Sequence, residues 1–176
     1  MFQVSYGLLV LMISVIWILV RAIVYARQKR FNWRREIELL LVYICIIVVA
    51  RFTFFPFFRV NGKIQPLGFD ALTMFPLRIN YVPLVSLFDY EIFREMLINV
   101  IGNTAMFIPI GVVWPVVYRK LDTHRKTIAA GVGFSLCIEL LQLPFDRVTD
   151  IDDLILNSLG FLIGYGLYLL VKAIRK

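Results

Sequence analysis

A chain of 176 residues is short enough for one domain, but 60% apolar residues, 15% aromatic residues and a mean hydropathy of +0.80 exclude a soluble globular one. The formal net charge of +7 would point to nucleic acid in a soluble chain; in a membrane protein it must first be sorted by side of the bilayer. Cys45 and Cys137 both fall inside apolar runs, which argues against a disulfide framework or a Cys-based zinc site and predicts free buried thiols.

The fold class that follows is an all-α integral membrane bundle, one domain over residues 1–176, with five transmembrane helices. Val4 to Tyr25 is an almost unbroken apolar run, long enough to cross a hydrocarbon core of about 30 Å at about 1.5 Å per residue. It lacks the charged start of a signal peptide and is read as a retained first helix. The short segment ARQKRFNWRREIE is basic and carries Trp33 at the level of an interfacial belt. Leu39 to Phe57 is the second helix, interrupted by Arg51 and closed by the Pro-broken aromatic stretch FTFFPFF. Arg59 to Met96 is the one long connection, too rich in Gly and Pro to span again. Within it Leu84, Phe88, Ile92 and Met96 recur every four residues, the pattern of a helix lying on the interface or over the bundle. Leu97 to Tyr118, Thr127 to Leu143 and Asp153 to Val171 complete the five, the fourth ending at Pro144.

Thirteen of the 19 Lys and Arg residues fall in the two short loops, at Arg21 and at the C-terminus, so the positive-inside bias predicts an extracytoplasmic N-terminus and a cytoplasmic C-terminus. The basic excess then meets anionic lipid headgroups and needs no nucleic acid. With that topology Arg51, Asn103, Glu139 and Asn157 lie at a shared depth near the outer ends of four helices. Polar groups so placed cost several kcal/mol unless they are paired or line a wet cavity, so they mark a candidate site roofed by Arg78, Arg147, Asp150, Asp152 and Asp153. A structural reading stands beside it, in which Arg51 and Glu139 form a buried ion pair and the two Asn residues are interhelical glue. Asp146, Asp150, Asp152 and Asp153 have the oxygen ligands for Ca²⁺ or Mg²⁺. DRVTDIDD lacks the order and the Gly of an EF-hand loop, however, and the expectation is a solvated loop in which Asp150 or Asp152 caps the last helix, with no cofactor. Gly160 and Gly164 form a G-x-x-x-G packing face, and His124 reads as a surface histidine.

Four motifs carry a family resemblance. They are R-x-N-x-x-P at Arg78, Asn80 and Pro83; N-x-x-x-N-x-x-x-F-x-P-x-G from Asn99 through Asn103, Phe107 and Pro109 to Gly111; E-x-x-Q at Glu139 and Gln142; and R-x-x-D-x-D-D-x-x-x-N-x-x-G-x-x-x-G from Arg147 to Gly164. Over about residues 77–170 the chain resembles the VanZ-like family of bacterial membrane proteins, associated with low-level teicoplanin resistance in Gram-positive bacteria. The first helix carries none of these motifs. The resemblance implies a multi-pass protein of the bacterial cytoplasmic membrane that lowers susceptibility to glycopeptide antibiotics. Its partners would be membrane lipids, with a lipid-linked cell-wall precursor or a lipoglycopeptide as the molecule acted on.

Three mechanisms are open at this point. In a binding site, Arg78, Asn80, Asn99, Asn103, Gln142, Arg147, Asp150, Asp152, Asp153 and Asn157 clamp a headgroup, with Arg51 as structural partner. In an enzyme of hydrolase or transferase type, Glu139 is the acid or base. A small homo-oligomeric transporter is the third. The sequence holds no nucleophile elbow, H-E-x-x-H or P-loop.

Overall fold

The computed structural model describes residues 2–55, 60–70, 72, 79–80, 82–83, 93–121, 123–145 and 149–175. The helices are α1 (Tyr6–Gln28), α2 (Trp33–Phe54), α3 (Phe93–Val117), α4 (His124–Gln142) and α5 (Ile151–Ile174). Among the described residues these five are long and apolar enough to cross a membrane, α4 counted with the 3-10 turn Leu143–Phe145 that follows it. The all-α membrane bundle expected from composition is the observed architecture.

Helix starts are set by capping side chains, not by the first apolar residue. Ser5 Oγ accepts from the Leu8 N–H at 3.1 Å, Asn32 Oδ1 from Arg35 at 3.2 Å, Thr123 Oγ1 from Lys126 at 3.4 Å and Asp150 Oδ1 from Asp152 at 2.9 Å. Hence α1 starts at Tyr6 and not Val4, α2 at Trp33 and not Leu39, α4 at His124 and not Thr127, and α5 at Ile151 and not Asp153. The amphipathic stretch ending at Met96 lies mostly outside the described residues; its last part, from Phe93, is the first turn of α3.

Among the described residues two small sheets add to the helices. β1 (Phe2–Val4) pairs antiparallel with β2 (Leu67–Phe69), and β3 (Ile79–Asn80) pairs parallel with β4 (Thr149–Asp150). The apolar run that included Val4 therefore begins as a strand. In the connection before β2, Val60 and Lys63 exchange two backbone hydrogen bonds of 3.0 Å across Asn61 and Gly62. Both of those residues have positive φ, 50° and 74°, as a two-residue Asn-Gly hairpin turn requires.

The bundle is held by the seam between α3 and α5. A methyl group added at Gly160 would lie 2.0 Å from the Thr104 carbonyl oxygen, one at Gly164 2.0 Å from that of Ile108, and one at Gly111 2.1 Å from that of Phe161. Glycine at these positions lets the two backbones touch, so the G-x-x-x-G face works as expected. Phe107, Ile110 and Phe161 fill the adjoining core with Val49 of α2, Ile138 of α4 and Tyr165 of α5. No residue of α1 is buried. α1 is held at one end by β1 on β2, midway by a 2.6 Å hydrogen bond between Ser14 and Tyr43, and at the other end by the Arg21–Glu36 ion pair. Cys45 is buried as expected, whereas Cys137 is exposed, because one residue of α4 turns it away from the face that buries Ile138 and Glu139.

Candidate functional site

The first turn of α5 gathers the polar groups. Asp150 caps the helix, and Asp152 and Asp153 sit where the positive end of the helix dipole favours carboxylates. The Asp150 backbone N–H points back to α4 and donates to Glu139 Oε2 at 3.4 Å. Its side chain meets Asn80 Nδ2 at 3.4 Å across the β3–β4 ladder, so the R-x-N-x-x-P segment is joined to the acidic loop by strand pairing. On the other side Asn103 Nδ2 donates both to Asp153 Oδ1 at 2.5 Å and to Asn99 Oδ1, one turn earlier on α3, at 2.7 Å. Gln142 Nε2 donates at 2.7 Å to the carbonyl of Thr53, one of the last carbonyls of α2 that has no partner within its own helix. Residues on α2, α3, α4 and α5 are thus bonded to one another at the end of the bundle that carries the long connection.

Burial is severe for charged and amide groups. Glu139 and Asp152 are 2% exposed and Asn157 1%. Below them the antiparallel register of α4 and α5 is set where the Phe161 ring lies against Gly131. One turn toward the site brings Ser135 and Asn157 to the same level, and a second turn brings Glu139 to the start of α5. Ser135 Oγ and Asn157 Oδ1 are both buried and have no hydrogen-bond partner among the described residues. A hydroxyl and an amide oxygen without partners thus lie one helical turn beneath the buried carboxylate of Glu139. Unpartnered buried groups of this kind cost about 1–3 kcal/mol each and are retained where something else uses them.

On the other side of the cluster, α2 and α3 part to leave a groove of about 900 Å³. Val48, Phe52, Ile98, Ile101, Met106 and Pro109 give it apolar walls, and Arg94, Glu95, Asn99 and Asn103 line it as well. Pro109 carries no N–H for the carbonyl of Ala105 four residues back, and both residues line the groove. Gly102, also in the wall, has open space in front of it.

Of the residues expected in the site, Asn80, Asn99, Asn103, Glu139, Gln142, Asp150, Asp152, Asp153 and Asn157 lie at this end of the bundle, and Arg78 and Arg147 lie outside the described residues. Arg51 is in the last turns of α2, where its guanidinium lies 5.4 Å from the Phe52 ring and 5.9 Å from the Tyr6 ring and donates to the Phe55 carbonyl at 3.4 Å. Sequence reasoning missed Ser135, Thr53 and Gly102. Ser135 stands one helical turn before Glu139, a spacing that could have singled it out. Among the described residues no three His, Cys, Asp or Glu side chains are grouped as ligands for a metal ion. His124, at the far end, is exposed, and its Nδ1 is 2.9 Å from the Tyr165 hydroxyl.

Comparison with curated proteins and with solved structures gives no match. The family model described as VanZ/LLP1 matches residues 40–172, a span that takes in α2 from Leu40 onward and the whole of the bonded site and leaves α1 outside. This chain therefore belongs to the VanZ/LLP1 family.

Proposed function

We propose that the protein lowers susceptibility to teicoplanin-type glycopeptides by binding an envelope lipid, or the headgroup of a lipid-linked precursor, from the outer leaflet. The observation that carries this reading is that the apolar groove between α2 and α3 shares Asn99 and Asn103 with the polar cluster at the start of α5. Such a junction suits a molecule with an alkyl chain and a hydrogen-bonding headgroup, the chain between the helices and the head at Asn103, Asp153 and Asp150. The charge bias of the short loops supports an extracytoplasmic N-terminus, and with it a site facing the outer leaflet. Arg78 and Arg147 are the cations that would hold phosphate.

Acid–base chemistry by Glu139 is a second reading, supported by its 2% exposure and by the open acceptors of Ser135 and Asn157 beneath it. Expression in a susceptible Gram-positive strain, with teicoplanin inhibitory concentration and membrane content of the protein measured together, tests both. Gly102→Leu puts a side chain into the groove from a position where a methyl group meets nothing within 4 Å, and should abolish protection at normal protein level. Glu139→Gln should abolish it only if proton transfer or the carboxylate charge is needed. Full protection by Gly102→Leu overturns the groove as the entry path.

A further inference from the structure

The opposite end of the bundle holds a second concavity. A cleft of about 810 Å³ opens between the start of α2 and the chain that follows α3, lined by Arg30, Arg34, Arg35, Arg119 and Lys120 and by one carboxylate among its described residues, Glu38. That carboxylate is already engaged, by Arg34 at 3.7 Å and Arg35 at 3.2 Å. Arg35 is a fixed strut, since its guanidinium also donates to the Val117 carbonyl and lies 5.9 Å over the Tyr118 ring. Arg30, Arg119 and Lys120 make no ion pair among the described residues. Two separate loops thus bring to one cavity three cations that have no carboxylate partner among the described residues, an arrangement that favours entry of an anion.

A second observation names the anion's other half. A largely apolar recess of about 480 Å³ between α1 and α2, walled by Trp17, Ile18 and Tyr25 and lined also by Arg21 and Glu36, which pair with each other, shares Gln28, Arg30, Asn32 and Arg35 with the cleft. Polar cleft and apolar recess therefore adjoin across these four residues and form one amphipathic region. We propose that this region is a binding site for an anionic phospholipid of the leaflet at the basic end, its phosphate held by Arg30, Arg119 and Lys120 and an acyl chain lying in the recess. Guanidinium groups match phosphate oxygens in pairs, which makes such a contact selective and not merely cationic.

Basic loops of a membrane protein also exist simply to set topology, and those stay solvated. A control that removes cations at the same end of the bundle but outside the cleft separates the two. Arg125 and Lys126 are exposed at the same end of the bundle and outside the cleft. The full-length protein is reconstituted into phosphatidylcholine nanodiscs doped with cardiolipin, and lipid retained on the protein is counted by native mass spectrometry. Wild type and an Arg125→Gln/Lys126→Gln variant should retain cardiolipin, and an Arg30→Gln/Arg119→Gln/Lys120→Gln variant should retain about tenfold less. In a parallel arm without cardiolipin, inorganic pyrophosphate is titrated onto the wild type. Binding of pyrophosphate with no retention of cardiolipin overturns the lipid source and leaves a soluble phosphate compound as the ligand. Equal loss in both variants, or retention in neither arm by the wild type, overturns the site.

Discussion

Asn103 Nδ2 lies 2.5 Å from Asp153 Oδ1, a hydrogen bond from the middle of one long apolar helix to the first turn of another. The same amide group holds Asn99, so one carboxamide joins α3 to α5 at the level of the candidate site. Removing it should be felt in both stability and function. Asn103→Ala and Asp153→Ala are each expected to destabilise by about 1–2 kcal/mol, with a coupling energy of about 0.6–1.7 kcal/mol in a double-mutant cycle. Reversible unfolding in mixed micelles measures it, and a coupling of zero would mean that the bond is not formed in the membrane.

Glycines on the α3–α5 seam should respond oppositely to glycines elsewhere. Gly160→Ala and Gly164→Ala drive a methyl group onto a backbone carbonyl 2.0 Å away, which costs about 1–3 kcal/mol through separation of the helices. Gly133→Ala and Gly166→Ala meet nothing within 4 Å and should stabilise by about 0.5–1 kcal/mol, because alanine restricts the unfolded chain. Thermal unfolding of the four variants in one detergent gives the comparison.

Ser135→Ala distinguishes a used hydroxyl from an idle one. Its oxygen is fully buried and has no partner among the described residues, so its loss should leave stability unchanged or raise it by about 1 kcal/mol. A clear loss of stability would show that a water or ligand bridges Ser135 to Asn157. Loss of antibiotic protection with stability intact would assign the Ser135 hydroxyl to function.

Topology can be read by single-cysteine labelling in a Cys45→Ser/Cys137→Ser background. Leu72, 83% exposed in the long connection, should label as cysteine with a membrane-impermeant thiol reagent added to intact cells, and Lys120 should be protected. The reverse pattern would put the candidate site on the cytoplasmic side.

Tyr118 supplies the pH test. Burial pushes its phenol above the ordinary tyrosine value, against the opposing pull of Arg35 and Arg21. An acid with a raised folded pKa loses its proton more readily when unfolded. The stability it contributes is therefore whole below the ordinary tyrosine value and falls as pH rises through the folded one. Tyr118→Phe should flatten the alkaline end of the stability curve, and the phenolate absorbance missing from the variant should be the component that appears late in the titration.

Helix number and the G-x-x-x-G seam were legible because each rests on a local, periodic signal: apolar length for the spans, and small residues four apart at Gly160 and Gly164. The grouping of Asn103, Glu139 and Asp153 followed from topology, since alternate helices run in opposite directions and put their polar residues at one end. What escaped was non-local. The β1–β2 pairing joins residues far apart in sequence through backbone groups that carry no side-chain signature. Ser135 looked like one more small residue in an apolar run, and only the facing Asn157 gives it meaning. Cap positions such as Asn32 and Thr123 are readable in principle, yet they lie several residues before the apolar runs that mark α2 and α4.

The seam between α3 and α5 also sets an order of events during synthesis. The third and fourth helices are made before the fifth, so the carbonyls of Thr104 and Ile108, the amide of Asn103 and the carboxylate of Glu139 are synthesised before Gly160, Gly164, Asp153 and the Asp150 N–H that will meet them exist. Until the ribosome has delivered the last helix, the growing chain presents hydrogen-bonding side chains to hydrocarbon, a state that membrane insertases and proteases can recognise. A chain halted before Ile151 would keep that appearance for good, and the cell would have the means to tell a finished molecule from an unfinished one by a single closed contact.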